Sequence, residues 1–204
     1  GELYGNSATD GGAYYLGDGV FKSSDNGITW EHLAGTGSGT PAAFDNVSDL
    51  VWNIAVDPSN LEQDEIYLAV YGEIRRTLNG GTTWQRVRGG LNSSYATDVA
   101  VNDSGIVYAT LSSEGSQRGI FRGAGQSWAN ITPKDWPKTY DRIRIGIAPS
   151  NQNVVYFLGE TPGAGALGKN FRGDSSWQSL WRYTYLSGDG TGAGGTWENL
   201  SANI

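Results

Sequence analysis

The sequence predicts an all-β fold built from four-stranded antiparallel units. Three observations predict it. Tryptophan follows a glycine-rich turn at four places: Trp30, Trp84, Trp128 and Trp197. Pairs of short alternating apolar segments joined by Asp/Pro/Ser/Asn turns precede the last three of these turns, the pattern of antiparallel strands. No segment keeps the 3.6-residue apolar period of a helix. A four-stranded unit recurring every ~40–50 residues is the signature of a β-propeller blade. The prediction is therefore an incomplete arc of about four such blades.

The elements follow in order. The first unit (1–33) is partial: a remnant at Glu2–Tyr4 and then GVFKSSDNGITWEHL over Gly19–Leu33, a strand, a turn and a strand. The second unit (51–87) supplies all four strands, called a to d: Val51–Val56, Ile66–Tyr71, Glu73–Thr77 and Thr83–Val87. The third (97–131) and fourth (143–200) repeat the scheme through DVAVNDSGIVYATL and IRIGIAPSNQNVVYFLG. Three blades and most of a fourth make an open arc. The expected completion is further blades of the same protein or another chain.

The turns between strands c and d carry the most specific motif. Ser23-Ser24-Asp25-Asn26-Gly27-Ile28-Thr29-Trp30 reads S-x-D-x-G-x-T-W. The second copy runs from Thr77 through Asn79 and Gly81 to Trp84, with Asn in place of Asp. The third, ending at Trp128, is two residues shorter and has no acid. The fourth keeps Ser187 and Asp189, then carries an insertion before Trp197. In these residues the chain resembles the BNR/Asp-box propellers, which include sialidases, xyloglucan-type glucanases, sortilin-like receptors and secreted bacterial surface proteins. The physical expectation for the box is structural. Asp25 accepts backbone N–H groups inside the turn, Gly27 takes a positive φ, and each Trp buries its ring between neighbouring blades. Trp84→Ala is accordingly expected to lower stability sharply.

Composition excludes other classes. The 204 residues include 31 Gly and 6 Pro, with 8 Trp, 11 Tyr and 5 Phe, an aromatic content that disordered chains do not carry. Fourteen basic against 21 acidic residues give a net charge of −7, and no basic cluster exceeds Arg75–Arg76, so nucleic acid is not an expected partner. No apolar run approaches the ~18–20 residues of a membrane span. The absence of Cys and the single His32 remove thiolate and histidine metal sites, and no metal or cofactor is expected. Acidity with abundant Gly, Asn, Ser and aromatics points to a secreted or cell-surface bacterial protein.

Topology sorts the loops. In an antiparallel meander the a–b and c–d turns leave one edge of each blade; the b–c and d–a connections leave the other. The second set is longer and uneven, and carries Phe44, Tyr95, Trp136, Tyr140, Phe171 and Trp177. Loops over a rigid scaffold are where binding groups collect. Phe44, Trp136, Tyr140 and Trp177 are therefore the expected contacts for a glycan or protein ligand. The leading expectation is a non-catalytic or scaffold propeller section that binds such partners. The alternative is a glycoside hydrolase of the xyloglucanase or sialidase kind. The stretch LYGNSATDGGAYY is similar to a xyloglucanase segment around a catalytic Asp, which nominates Asp10; as a plain Gly-rich loop residue, Asp10 instead makes turn bonds. Glycosidase chemistry uses two carboxylates, and the sequence names no second. Arg142 and Arg144 alternate with isoleucines in DRIRIG and read as a solvated strand face. The glycine run Gly163–Gly168 reads as a flexible loop.

Overall fold

A computed structural model describes residues 16–41, 43–90, 96–170 and 172–204. It is all-β: fifteen strands and three single-turn 3-10 segments, with no α-helix among the described residues. A hairpin of β1 (Phe21–Lys22) and β2 (Glu31–His32) comes first. A sheet of β3 (Val51–Val56), β4 (Ile66–Val70), β5 (Glu73–Thr77) and β6 (Gln85–Gly89) follows in meander order. The third sheet runs β7 (Thr97–Val101), β8 (Val107–Leu111), β9 (Gly119–Ala124) and β10 (Ser127–Asn130). The fourth holds β11 (Ile143–Ile147), β12 (Val154–Glu160), β14 (Ser175–Tyr185) and β15 (Gly195–Asn199), with β13 (Ala166–Lys169) paired to the start of β14. These are four-stranded propeller blades in an open arc, with β3, β7 and β11 side by side on the inside.

The Gly163–Gly168 run is not wholly loop, as the sequence suggested. Gly163 and Gly165 turn the chain at positive φ, and Ala166–Lys169 then pair with Ser175–Gln178. The long b–c connection of the fourth blade is thus a side hairpin built on an eleven-residue strand.

Strand register gives every blade two different faces. The near face points to the preceding blade and the far face to the following one. On the far face, b and c strands place Tyr opposite Arg three times: Tyr67 and Arg76, Tyr108 and Arg122, Tyr156 and Arg182. The a strand places a small residue beside each Tyr: Ala55, Ala100 and Gly146. Lys22 holds the corresponding place in the first hairpin. The near face carries Phe121 and Trp128 in the third blade and Trp181 and Trp197 in the fourth.

Apposed faces form the cores. Between second and third sheets, Tyr67, Ala69 and Ile74 meet Val99, Val107 and Ala109. Between third and fourth, Tyr108 and Ile120 meet Val155, Phe157, Trp181 and Tyr183. There the rings of Phe157 and Tyr108 meet edge to face with centroids 6.3 Å apart, and those of Phe157 and Trp197 are 5.3 Å apart. Such pairs add ~0.5–1.5 kcal/mol beyond area burial. Polar bonds fix the junctions as well. Thr97 Oγ1 donates to the Val70 carbonyl at 2.7 Å, and Thr110 Oγ1 to the Ile143 carbonyl at 3.0 Å.

The c–d turns show why their sequence recurs. In the first, Ser23 Oγ donates to Asp25 Oδ1 at 2.8 Å and accepts from Gly27 N at 2.7 Å. Asp25 accepts from Thr29 N at 2.8 Å and Thr29 Oγ1 at 2.6 Å. The second reproduces the frame with an amide: Asn79 Oδ1 accepts from Thr83 N at 2.9 Å, and Asn79 Nδ2 donates to Thr83 Oγ1 at 3.0 Å. Asn26 (φ 59) and Gly80 (φ 64) occupy the same left-handed position, which Asn tolerates and Gly takes freely. In the fourth turn Asp189 accepts from Thr191 N at 2.9 Å. The Thr29 hydroxyl first, then its amide, holds the Asp25 carboxyl down at about 2. A lowered carboxylate stabilises the fold above its unfolded value, and that contribution is lost as pH falls through about 2. Because Asn79 already fills the same role, Asp25→Asn should leave the melting temperature at the wild-type value, whereas Asp25→Ala should lower it. Thermal melts of the two variants at neutral pH check this.

One expectation about the turns fails. Trp84, Trp128 and Trp197 are half-buried in equivalent inter-blade places, but Trp30 is 63 % exposed. Its ring lies on the near face of the first hairpin, and no described sheet precedes that hairpin.

Candidate functional site

The long-loop edge expected to carry function is built on a stiff frame. In the d–a loop before β3, Asn46 caps a 3-10 turn: its side chain accepts from Ser48 N at 3.0 Å. The buried Asp49 carboxylate in turn accepts from Asn46 N at 2.8 Å and Asp45 N at 2.9 Å. Asp45 is gripped by the Ser38 and Thr40 hydroxyls, which hold its carboxyl below the usual range. Phe44, next to this knot, stands 48 % exposed. Its ring meets Tyr71, from the b–c turn of the same blade, edge to face at 5.0 Å. Tyr71 N donates to the Val47 carbonyl, tying the two loops together. The result is a fixed, solvent-facing aromatic pair beside a carboxylate and two hydroxyls.

The other sequence candidates fall in three places. Trp177 is half-buried on β14, opposite the exposed Leu167 of the side hairpin. Trp136 and Tyr140 are buried: the loop folds them into the core between third and fourth blades. Their rings meet edge to face at 5.9 Å, and Trp136 lies 5.6 Å from Trp181. Gly159 makes room, since a Cβ there would come within 3.2 Å of the Trp136 ring. Burial pushes the Tyr140 hydroxyl up to about 12. These two residues pack the junction and do not offer their faces to solvent. Asp10, Tyr95 and Phe171 lie outside the described residues.

Carboxylates missed in the sequence gather where the inner strands meet this edge. Asp141, just before β11, donates its backbone N–H to the Glu160 carbonyl at 2.9 Å. Glu160 closes β12; desolvation of its carboxyl, and secondarily the Asp141 charge, raise it above the usual range. Glu160 is exposed at the loop edge, so its carboxyl is open to a ligand there. Arg142 is not on a solvated face as expected: its guanidinium lies over the Trp52 ring, 4.8 Å from the centroid. Trp52 is the extra residue of a register shift in β3. Arg144 does face solvent, at 51 % exposure.

The inner strands also share a polar row. Asn53, Asp98 and Arg144 hold one register position in three successive blades. Asp98 is 1 % exposed and accepts from Asn53 Nδ2 at 2.7 Å and from Ile145 N at 3.0 Å. Burial raises its carboxyl above the ordinary value despite these donors. The signal was present in the sequence as one polar residue near the start of each strand a.

A cavity of about 660 Å³ lies on the opposite edge between the first hairpin and the second sheet. The Lys22–Asp64 ion pair, Glu31, His32 and Asn79 line it, and neither an indole nor a phenol ring does. Among the described residues no three His, Asp or Glu side chains converge as a metal site, and no helix is long and apolar enough to cross a membrane.

No family model matches the chain, and no curated protein matches it. Solved structures do. A GH74 enzyme of Niastella koreensis superposes with a TM-score of 0.59 at 20% identity, covering 90% of this chain and 26% of that one. An ancestral GH74 enzyme gives 0.57 at 20% identity, with 92% and 23% covered. The chain therefore spans about a quarter of the length of these enzymes and shares their propeller-like fold.

Proposed function

We propose that this chain is a propeller section of a secreted or cell-surface carbohydrate-active protein, and that it binds glycan through its long-loop edge. The exposed Phe44–Tyr71 pair carries the reading. Aromatic rings offer apolar area to a sugar face with little side-chain entropy to lose, and the adjacent Asp45, Ser38 and Thr40 supply polar atoms for hydroxyl groups. The c–d turns fit the Asp-box pattern and act as blade staples, since Asp25 and Asn79 make equivalent frames with and without a charge.

A second reading, a glycoside hydrolase, draws support from the Asp141–Glu160 pair and from the GH74 enzymes that share the fold. Affinity electrophoresis against soluble β-glucans and other polysaccharides tests binding. Phe44→Ala, at an exposed site, should abolish retardation while leaving the melting temperature unchanged. No retardation by any polysaccharide for the wild-type chain would overturn the binding reading. Release of reducing ends, lost in Glu160→Gln, would favour the hydrolase.

A further inference from the structure

The third and fourth blades meet at the long-loop edge around a basic pocket of about 240 Å³. Arg118 lines it from the b–c loop of the third blade, and Lys134, Trp136, Lys138 and Tyr140 line it from the connection between β10 and β11. No carboxylate is among its lining residues, although the chain carries 21 acidic residues against 14 basic. Asp135 lies between the two lysines in sequence but does not line the pocket, and Glu114 is engaged by Ser112 Oγ at 2.6 Å. The ion pairs of the chain draw on Lys22, Arg75, Arg76, Arg86, Arg144 and Arg182. Arg118, Lys134 and Lys138 enter none of them, and all three are exposed. Arg118 is steadied by one bond, from Nη1 to the Ser113 carbonyl at 3.4 Å, which leaves the other N–H groups of its fork for a ligand.

The pocket is preformed. Pro133 and Pro137 restrict the backbone on either side of Lys134 and Trp136, and Trp136 N closes a turn onto the Pro133 carbonyl at 3.0 Å. Trp136 and Tyr140, 6 % and 4 % exposed, make the floor. Tyr140 is anchored through its backbone: its N–H donates to Ser113 Oγ at 3.1 Å and its carbonyl accepts from Ser113 N at 3.0 Å. That leaves its hydroxyl as a donor, and burial keeps the hydroxyl protonated at neutral pH. The Trp136 Nε1–H has no protein partner among the described residues. Asn130 also lines the pocket. Its Oδ1 accepts from Thr132 N at 3.0 Å and from Thr132 Oγ1 at 2.6 Å, which leaves Nδ2 as a further donor.

We propose, resting on the glycan-binding reading above, that this pocket binds the anionic substituent of an acidic polysaccharide, a carboxylate or a sulfate ester, and so makes the chain selective for charged glycans. Oxyanions take short, charge-assisted hydrogen bonds from guanidinium and ammonium groups. Arg118 supplies a planar fork of donors, and Lys134 and Lys138 supply point charges. A chain of net charge −7 repels polyanions over the rest of its surface, so attraction to one is a property of this place and not of the whole molecule.

Isothermal titration calorimetry of the purified chain with short galacturonate oligomers, with a sulfated oligosaccharide and with a neutral β-glucan oligosaccharide tests the proposal. The expected result is tighter binding of at least one acidic ligand than of the neutral one, and the tighter acidic ligand names the substituent. The double variant Lys134→Gln/Lys138→Gln, at exposed positions, should weaken that binding about tenfold or more with an unchanged melting temperature. Lys169→Gln, which removes an exposed charge from the side hairpin, should leave it at the wild-type value. Binding of the neutral ligand with no preference for either acidic one would overturn the proposal and leave the glycan-binding reading standing. Binding of none of the three would overturn it as well, and the electrophoresis above then decides the wider reading. Acidic binding that survives loss of both lysines, or that Lys169→Gln weakens equally, would overturn it as attraction to charge in general.

Discussion

Phe157→Ala lowers the unfolding free energy by about 3–5 kcal/mol, the range for removing a large ring from a packed core. Phe157 is fully buried on β12 and packs against Tyr108 of the third blade and Trp197 of its own. No exposed group can swing in to fill the space, because the surrounding rings are held by flanking strands. The cost is thus a lost transfer term plus a residual cavity. A domain of this size has ~5–15 kcal/mol of stability in all, so the variant sits near the edge of folding. Urea denaturation reads the change as a lower midpoint. Leu61→Ala, at 92 % exposure, is the control and should stay within about 0.5 kcal/mol of wild type. Trp84, only half-buried, falls between these extremes, so its truncation is expected to cost less than that of Phe157.

The contrast between Phe157 and Trp30 shows how far the sequence could be read. Alternation and turn residues placed the second blade almost to the residue: strands a and c agree, b ends one residue sooner, and d starts two residues later at Gln85. Local patterning fixes strands because the pleat alternates two faces. It does not say which neighbour covers each face. Trp30 carries the same local signal as Trp84, yet only Trp84 has a described sheet to meet. Loop residues fail differently. The length of their loop points Trp136 and Tyr140 toward solvent, but the loop closes over the junction and uses both rings as packing. The Tyr–Arg row was legible in IYLAV, VYATL and VYFLG with the arginines that follow on strand c. It reveals itself only when blades are aligned by cross-strand register and not by their turns.

Asp98→Ala is the second large effect, and it acts through bonds and not volume. The Asp98 carboxylate ties three blades: it sits on β7, receives the Asn53 amide from β3 and the Ile145 N–H from β11, and lies 4.0 Å from the Arg144 guanidinium. Alanine takes the acceptor from Ile145 N–H and one of the two acceptors of Asn53 Nδ2, which also donates to the Val99 carbonyl at 3.1 Å, and leaves Arg144 without its nearby charge. Removing the acceptor of such bonds costs about 1–3 kcal/mol. Asp98→Asn keeps one acceptor oxygen and should lose less. The two variants separate further with pH. Burial raises the Asp98 carboxyl in the folded chain, so the folded state binds more protons than the unfolded state just above the ordinary carboxylate range. Its contribution to stability therefore declines as pH rises through that window. Asp45, Glu65 and Asp189 are shifted the other way, so their contributions decline as pH falls. A melt of wild type alone mixes these opposing slopes, whereas subtraction of the Asp98→Asn curve isolates one. The difference should grow in favour of wild type as pH drops from neutrality through the raised Asp98 range, then flatten below the unfolded value. A difference that stays constant with pH would show that Asp98 titrates alike in both states, and that desolvation at the inner strands is fully offset by the Asn53 amide and the Ile145 and Val99 N–H donors.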